Sequence, residues 1–99
     1  MIIALSRFKV TNGQEDSVAR AFLDRPRLVE NAEGFLGMEV FTESTDASIF
    51  YLFTRWTTES AFRQWHSSDA HRASHKGIPK GVNLDAGHTQ LLVLNHLCD

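Results

Sequence analysis

The sequence is poor in cysteine, in long apolar runs and in charge of one sign, and each shortage excludes a class of protein. Cys98 is the only cysteine among the 99 residues, so an internal disulfide, a four-cysteine zinc site and a CxxC redox motif are excluded. No apolar run approaches the roughly 20 residues that span a bilayer. The first apolar residues precede any positive charge, which is the reverse of a secretory signal peptide. We therefore expect a cytoplasmic protein with no membrane segment.

The charge balance argues against a nucleic-acid partner. The formal net charge is -2, whereas nucleic-acid-binding domains carry a basic patch and often a pI above about 9. Hydrophobic residues make up 42% of the chain and charged residues 22%, a balance typical of globular rather than disordered proteins. The length fits one domain, which we place at residues 1–99.

Strand and helix patterns alternate along the chain. A first β-branched and aromatic run is followed by helical spacing of apolar residues, and Pro26 predicts a break in that helix. A second helix is expected to begin at Thr57 or Thr58 as its N-cap and to be split by a new cap at Ser67-Ser68-Asp69. The patterns predict strands at 2–10, 35–43, 49–56 and 89–97, a hairpin loop at 44–48 and a loop at 76–87. The order β-α-β-β-α-β, with the second helix split, predicts an α+β, ferredoxin-like fold in which helices cover one face of an antiparallel sheet.

The first strand alternates between two faces. Ser6 falls on the same face as Ile2 and Phe8, so it is the polar member of a face that looks into a core or cavity. Arg7 falls on the opposite face and is not expected to border a cavity.

Two of the predicted strands are apolar on both faces. The segments 49–53 and 91–94 carry too many apolar side chains for one helical layer to bury. We therefore expect a second copy of the sheet to cover the open face, giving a homodimer.

The histidines are the residues most suited to chemistry. His71 and His75 are four positions apart and share a helix face, but a metal site needs three or four ligands, so Asp69 or Glu59 would have to complete it. Two solvated helix histidines are the simpler interpretation. A histidine beside an apolar pocket also suits an axial ligand of heme iron, although from spacing alone a core Trp65 and a surface histidine are the simpler interpretation.

Other catalytic patterns are absent from the sequence. It has no G-x-S-x-G element to place a nucleophilic serine, and no G-x-G-x-x-G or phosphate-binding loop.

Three motifs resemble the antibiotic-biosynthesis monooxygenase family. They are Glu33-Gly34-Phe35-Leu36-Gly37-Met38, the strand end Thr54-Arg55-Trp56, and Ala61-Phe62-x-x-Trp65 continuing to His75. The likeness runs from the first strand to the last, and within the family it is most similar to the heme-degrading, IsdG-type monooxygenases. This resemblance implies a dimeric α+β barrel formed by two ferredoxin-like sheets, with one heme pocket per subunit.

The resemblance also implies roles for particular residues. His75 would be the axial ligand of the heme iron, Trp65 would press on the porphyrin and force it out of plane, and Phe22 would line the pocket. Oxidative degradation would release iron and would consume O2 and electrons from an external donor, for which a reductase is one candidate. The family's first-strand asparagine is replaced here by Ser6, whose O–H is a shorter donor. Losing one such donor can lower a rate by on the order of 10²–10³.

Two alternatives to heme degradation stay open. A cofactor-independent monooxygenase would use His75 or His71 as a base toward a phenolic or other small molecule that stacks on Trp65. A non-catalytic protein would bind heme or another small apolar ligand. If the ligand is heme, its propionates need cations at the pocket mouth, and the candidates are Arg25, Arg27, Lys76 and Lys80.

Overall fold

The computed structural model describes residues 1–74 and 83–99, so the segment 75–82 lies outside the described residues. Four strands, three α-helices and two short 3-10 helices follow one another along these residues. They are β1 (Ile2–Lys9), α1 (Glu15–Leu23), η1 (Leu28–Asn31), β2 (Phe35–Glu43), β3 (Asp46–Trp56), α2 (Glu59–His66), α3 (Asp69–Ser74), η2 (Ala86–His88) and β4 (Gln90–Asn95). Among the described residues, no helix has the length and apolar character needed to span a bilayer.

The four strands form one antiparallel sheet in the order β2-β3-β1-β4. The predicted α+β class and ferredoxin-like fold are therefore confirmed. β1 lies at the centre, where Ser6 is opposite Leu52 of β3 and Leu91 of β4. Residues paired across strands share a face of the sheet, so these three side chains lie together.

Two apolar clusters attach the helices to one face of the sheet. The first joins Ile2, Ala4 and Trp56 of the sheet to Val29 and to Phe62 of α2. The second joins Val10 and Phe50 to Val18 of α1. The two clusters leave a space between α1, α2 and the middle of the sheet, and this space becomes the candidate site.

Short-range signals set the helix ends as predicted. α1 ends at Leu23, ahead of Pro26, which cannot continue a helix. Thr58 Oγ1 accepts a hydrogen bond from Ala61 N at 3.1 Å and so caps α2. Ser68 Oγ accepts one from His71 N at 3.1 Å, which makes it the predicted second cap. The second helix is therefore split into α2 and α3.

Two of the predicted loops are wrong in part. The hairpin loop expected at 44–48 is shorter, because β3 begins at Asp46 and pairs there with Glu43. Asp46 Oδ1 accepts a hydrogen bond from Ser48 N at 3.0 Å, and this local bond lets polar residues enter the strand. Of the loop expected at 76–87, residues 76–82 lie outside the described residues, whereas Leu84 pairs with Val10 and η2 begins at Ala86.

The other face of the sheet carries large apolar side chains. Leu5 lies opposite both Phe53 and Leu92, and Phe53 contacts Phe41 with ring centroids 5.4 Å apart. Phe41 is 47% exposed and Leu92 is 39% exposed. This outer face is the one expected to meet a second copy of the chain, which stays a prediction.

Candidate functional site

A cavity of about 670 Å³ lies between the helices and the inner face of the sheet. All four strands contribute residues to the walls of the cavity, and so do α1, the segment 25–29, α2 and α3. The volume falls within the range of about 300–1,000 Å³ that is usual for small-molecule sites.

The α1 side of the cavity is aromatic. Phe8 of β1 and Phe22 of α1 both line it, with ring centroids 6.3 Å apart. The buried Phe50 supports both rings, at 5.3 Å from Phe8 and 5.9 Å from Phe22. Such spacings are the preferred ones for aromatic pairs, so this wall is a rigid apolar surface.

The α2 side combines an indole with two imidazoles. Trp65, His66 and His71 all line the cavity. The ring of His71 lies 5.7 Å from that of Trp65 and 4.8 Å from that of His66. Because α2 ends at His66 and Ser68 caps α3, the chain turns there and brings His71 beside Trp65, six positions earlier. No role was predicted for His66, although the break at Ser67-Ser68 is the signal that indicates its position beside the cavity.

Ser6 lies on the floor of the cavity, where the middle of β1 crosses it. It is half-buried between Leu52 and Leu91 of the neighbouring strands. The prediction that Arg7 lies away from a cavity is wrong, since Arg7 also lines it. The reason is that the cavity continues along the edge between β1 and β4, where Gln90 pairs with Arg7 and Arg7 Nε donates to the carbonyl of His88 at 3.4 Å.

Two arginines line the cavity beside the turn that follows α1. Arg25 Nη1 and Nη2 donate to the two carboxylate oxygens of Glu30 at 3.0 and 3.2 Å. Arg27 Nη1 donates to Glu30 Oε2 at 3.3 Å. We call this end of the cavity the arginine mouth, defined by Arg25 and Arg27. The other cations predicted for ligand carboxylates, Lys76 and Lys80, lie outside the described residues.

His75 also lies outside the described residues, so its role stays a prediction. Ser74, the last residue of α3, lines the cavity. Within residues 1–74 and 83–99, no group of three His, Cys, Asp or Glu side chains is arranged to hold a metal ion. The possible pairing of His71 with His75 on a metal falls partly outside that range.

A ferredoxin-like sheet with an aromatic-walled cavity on its helical side defines a small α+β domain with a cavity of the size usual for small-molecule sites. The sequence profile described as antibiotic biosynthesis monooxygenase matches residues 1–77. The chain therefore belongs to the antibiotic biosynthesis monooxygenase family, as the sequence motifs predicted.

Similar proteins include several with names that refer to heme. The chain is 38% identical over 77 residues to a heme-degrading monooxygenase of Halalkalibacterium halodurans, which covers 76% of this chain and 66% of that protein. It is 31% identical over 86 residues to the heme-degrading monooxygenase HmoA of Bacillus subtilis, covering 81% of this chain and 78% of that protein.

Two solved structures have the same fold at low sequence identity. The heme-degrader MhuD of Mycobacterium tuberculosis, with two hemes bound, superposes with a TM-score of 0.79 at 23% identity, covering 100% of this chain and 98% of that one. SnoaB, a cofactor-independent oxygenase from Streptomyces nogalater, superposes with a TM-score of 0.78 at 13% identity, covering 99% and 94%. At these identities the likeness establishes the fold alone.

Proposed function

We propose that this protein is a heme-degrading monooxygenase that binds heme as its substrate in the cavity and opens the macrocycle oxidatively, with release of iron. The observation that carries the proposal is the cavity itself, which joins aromatic walls to a mouth with two arginines. Heme matches both parts, since it is a flat apolar ring that bears two carboxylates at one edge. The names of the relatives in Halalkalibacterium halodurans and Bacillus subtilis support the same substrate.

The walls of the cavity would bind and orient the macrocycle. Phe22 would pack against one part of the ring, and Trp65 would press on its face and bend it out of plane. Arg25 and Arg27 would pair with the propionates, because guanidinium groups bind carboxylates through two parallel hydrogen bonds. When bound, heme supplies the iron at which O2 is activated. These roles follow from the family resemblance and from the position of each side chain on the cavity.

His75 and Ser6 would complete the site. His75 would be the axial ligand of the heme iron, which is a common role for a neutral imidazole. Ser6, on the cavity floor, would donate a hydrogen bond from its hydroxyl toward the reacting edge of the ligand. The family resemblance implies an asparagine at this position in the heme-degrading members. The electrons would come from an external donor such as a reductase, and the enzyme would act in the cytoplasm.

The homodimer is part of the same proposal. The outer face around Leu5, Phe53 and Leu92 would be buried against the same face of a second copy, and each subunit would keep its own heme cavity. A monomeric mass in solution at micromolar concentration would contradict the dimer. Leu92→Asp is expected to separate the subunits, because it would bury an unpaired carboxylate in the interface.

A cofactor-independent oxygenase is the second candidate, and one observation favours it. His66 and His71 both line the cavity beside Trp65, so an imidazole suited to act as a base lies next to an aromatic surface. In that case His71 or His75 would take a proton from a phenolic substrate stacked on Trp65. The fold that the chain shares with the Streptomyces nogalater oxygenase is compatible with this chemistry.

A hemin titration followed by visible absorbance tests the proposal, with ascorbate then added in air in the presence of catalase. A saturating Soret band at one heme per chain that bleaches with the reductant is expected. A stable complex that never bleaches would favour a non-catalytic binder, and the absence of specific binding would favour the cofactor-independent oxygenase. His75→Ala is expected to abolish the Soret shift while the matched variant His71→Ala keeps it. Equal binding by both variants would remove His75 from the ligand role.

A further inference from the structure

Glu30 lies behind the arginine mouth and holds both of its cations. Arg25 and Arg27 line the cavity, whereas Glu30 is not among the described residues that do so. Its two carboxylate oxygens accept both terminal N–H groups of Arg25, and one of them also accepts from Arg27. This two-pronged arrangement is the strongest geometry for an arginine and a carboxylate.

The backbone of the turn is adapted to this contact. Arg27 has a φ of 57°, in the left-handed region that side chains other than glycine rarely adopt. Such a conformation persists where the surrounding contacts hold it, and strained residues of this kind cluster at active sites and ligand clamps. Here it precedes η1, the 3-10 helix that carries Glu30. The strained residue is itself one of the two arginines that donate to Glu30 at the edge of the cavity.

The three side chains together carry a net charge of +1, from two guanidinium groups and one carboxylate. The side chain of Arg25 is 19% exposed and that of Glu30 is 34% exposed. Because Arg25 is partly withdrawn from water, its charge is screened less than that of Arg27, whose side chain is 71% exposed. An acidic ligand at the mouth would therefore bind next to one net positive charge. The terminal N–H groups of Arg25 would already be hydrogen-bonded to Glu30.

We propose that Glu30 is a specificity-determining residue that moderates the affinity of the arginine mouth for anionic aromatic ligands. It positions Arg25 and Arg27 and cancels one of their two charges. The identity of the ligand as heme rests on the proposed function, but the effect on anions follows from the arrangement of charge. Opening a macrocycle leaves its carboxylates in place, so a mouth with two uncompensated charges would retain product as firmly as substrate. Glu30 would allow the product to leave.

The test uses two dyes that differ by one sulfonate group, which carries the negative charge. The anionic probe is 1-anilinonaphthalene-8-sulfonate, and N-phenyl-1-naphthylamine is the same molecule without the sulfonate. In the full-length chain, Glu30→Gln removes the negative charge and keeps the shape of the side chain. For charges about 7 Å apart in a hydrated mouth, where the effective dielectric constant is between about 40 and 80, this is expected to lower the Kd of the anionic dye by about three- to seven-fold at low salt. The neutral dye is expected to bind unchanged.

Two further variants distinguish the local charge of Glu30 from the shape of its side chain and from the net charge of the protein. Glu30→Asp keeps the charge and is expected to retain the wild-type ratio of the two dye affinities. Glu59→Gln removes a carboxylate that pairs with Arg63 on α2, where both side chains are more than half exposed, at 52% and 54%. It changes the net charge of the protein equally and is expected to alter neither Kd. The gain in Glu30→Gln is also expected to fade as salt rises, because screening weakens the charge effect.

Hemin and its dimethyl ester repeat the comparison with the proposed substrate. Glu30→Gln is expected to tighten hemin binding and to leave the ester unchanged. Loss of binding for both dyes in Glu30→Gln would overturn the proposal, because it would make Glu30 a purely structural residue. An unchanged Kd for the anionic dye would also overturn it. If wild type binds the dyes as expected but fails to bind hemin, the role of Glu30 stands and the heme function fails.

Discussion

Replacing Gly34 by alanine is expected to destabilise the protein far more than the same change at Gly13. Both glycines have a positive φ, at 81° for Gly34 and 75° for Gly13. A Cβ built on Gly13 has no atom within 4 Å, whereas one on Gly34 would lie 2.6 Å from Ala61 Cβ and 2.7 Å from Thr57 Oγ1. Thr57 can rotate its hydroxyl away, but the Cβ of Ala61 is fixed to the α2 backbone. Relief at Gly34 therefore requires α2 to move.

The expected magnitude has two parts. An alanine in the left-handed region costs about 1 kcal/mol, and this applies to both positions. Overpacking adds about 1–3 kcal/mol at Gly34 alone. Gly34→Ala should thus lower the free energy of unfolding by about 2–4 kcal/mol, out of the roughly 5–15 kcal/mol of a typical domain. Since 1 kcal/mol shifts the melting temperature of a domain this size by about 4–8 °C, the loss should be about 10–30 °C.

Urea unfolding followed by far-UV circular dichroism measures both variants, with Gly13→Ala as the matched control for backbone strain. Ala61→Gly removes the atom that the new Cβ would strike. The double variant Gly34→Ala with Ala61→Gly should therefore lose less stability than the sum of the two single variants. Equal losses at Gly34 and Gly13 would refute the reasoning, because they would mean that the close approach to α2 costs nothing.

Three further predictions concern the cavity floor, a helix cap and a titrating carboxylate. Ser6→Asn is expected to raise the rate of heme loss with ascorbate by up to on the order of 10²-fold, by restoring an amide donor; an unchanged or lower rate would mean that Ser6 suits another reaction. Thr58→Ala should lower the free energy of unfolding by about 1 kcal/mol through loss of the α2 cap, while Thr58→Ser keeps it; equal losses would contradict the capping role. The Asp85 carboxyl should titrate by NMR below its ordinary pKa of 3.8, because it accepts hydrogen bonds from Gly87 N and His88. Its contribution to stability is then present above pH 3.8 and is lost as the pH falls through the lowered pKa, and a carboxyl that titrates at or above that value would contradict this.

The order of elements was predictable because its signals are local. Pro26 ends a helix and Thr58 caps one regardless of what packs against them. The start of β3 was not predictable in the same way. Asp46 is typical of a loop, yet it begins the strand because its side chain accepts a hydrogen bond from Ser48 N and its backbone pairs with Glu43. Strand ends depend on pairing across the sheet, which composition does not reveal.

The candidate site was predictable only where sequence spacing controls geometry. Alternation placed Ser6 and Phe8 on the inner face of the sheet, and both line the cavity. Arg7 was misplaced because alternation describes one strand and not the extent of a cavity along its edge. The arginine mouth depends on the left-handed Arg27, and an arginine gives no sign of a conformation that usually requires glycine.

The motifs that carry the family resemblance form one continuous set of contacts. The carbonyl of Gly34 accepts a hydrogen bond from Thr57 N at 2.8 Å. The next residue, Phe35, packs on Trp56 with ring centroids 5.4 Å apart, and Trp56 packs on Phe62 with ring centroids 5.9 Å apart. Together these contacts fix α2, and with it Trp65, at a set distance from the sheet.

The contacts of Gly34, Trp56 and Phe62 therefore set the frame of the cavity. Besides Trp65 and the proposed ligand His75, the residues that would choose a ligand are Ser6 on the cavity floor and Glu30 with the arginine mouth. Gly34→Ala should accordingly weaken the binding of neutral and anionic ligands together, because it moves a wall. Glu30→Gln should change only the ratio between them, because it changes a charge. Comparing the two variants with the paired dyes separates the part of the site that sets the shape of the cavity from the part that sets its charge.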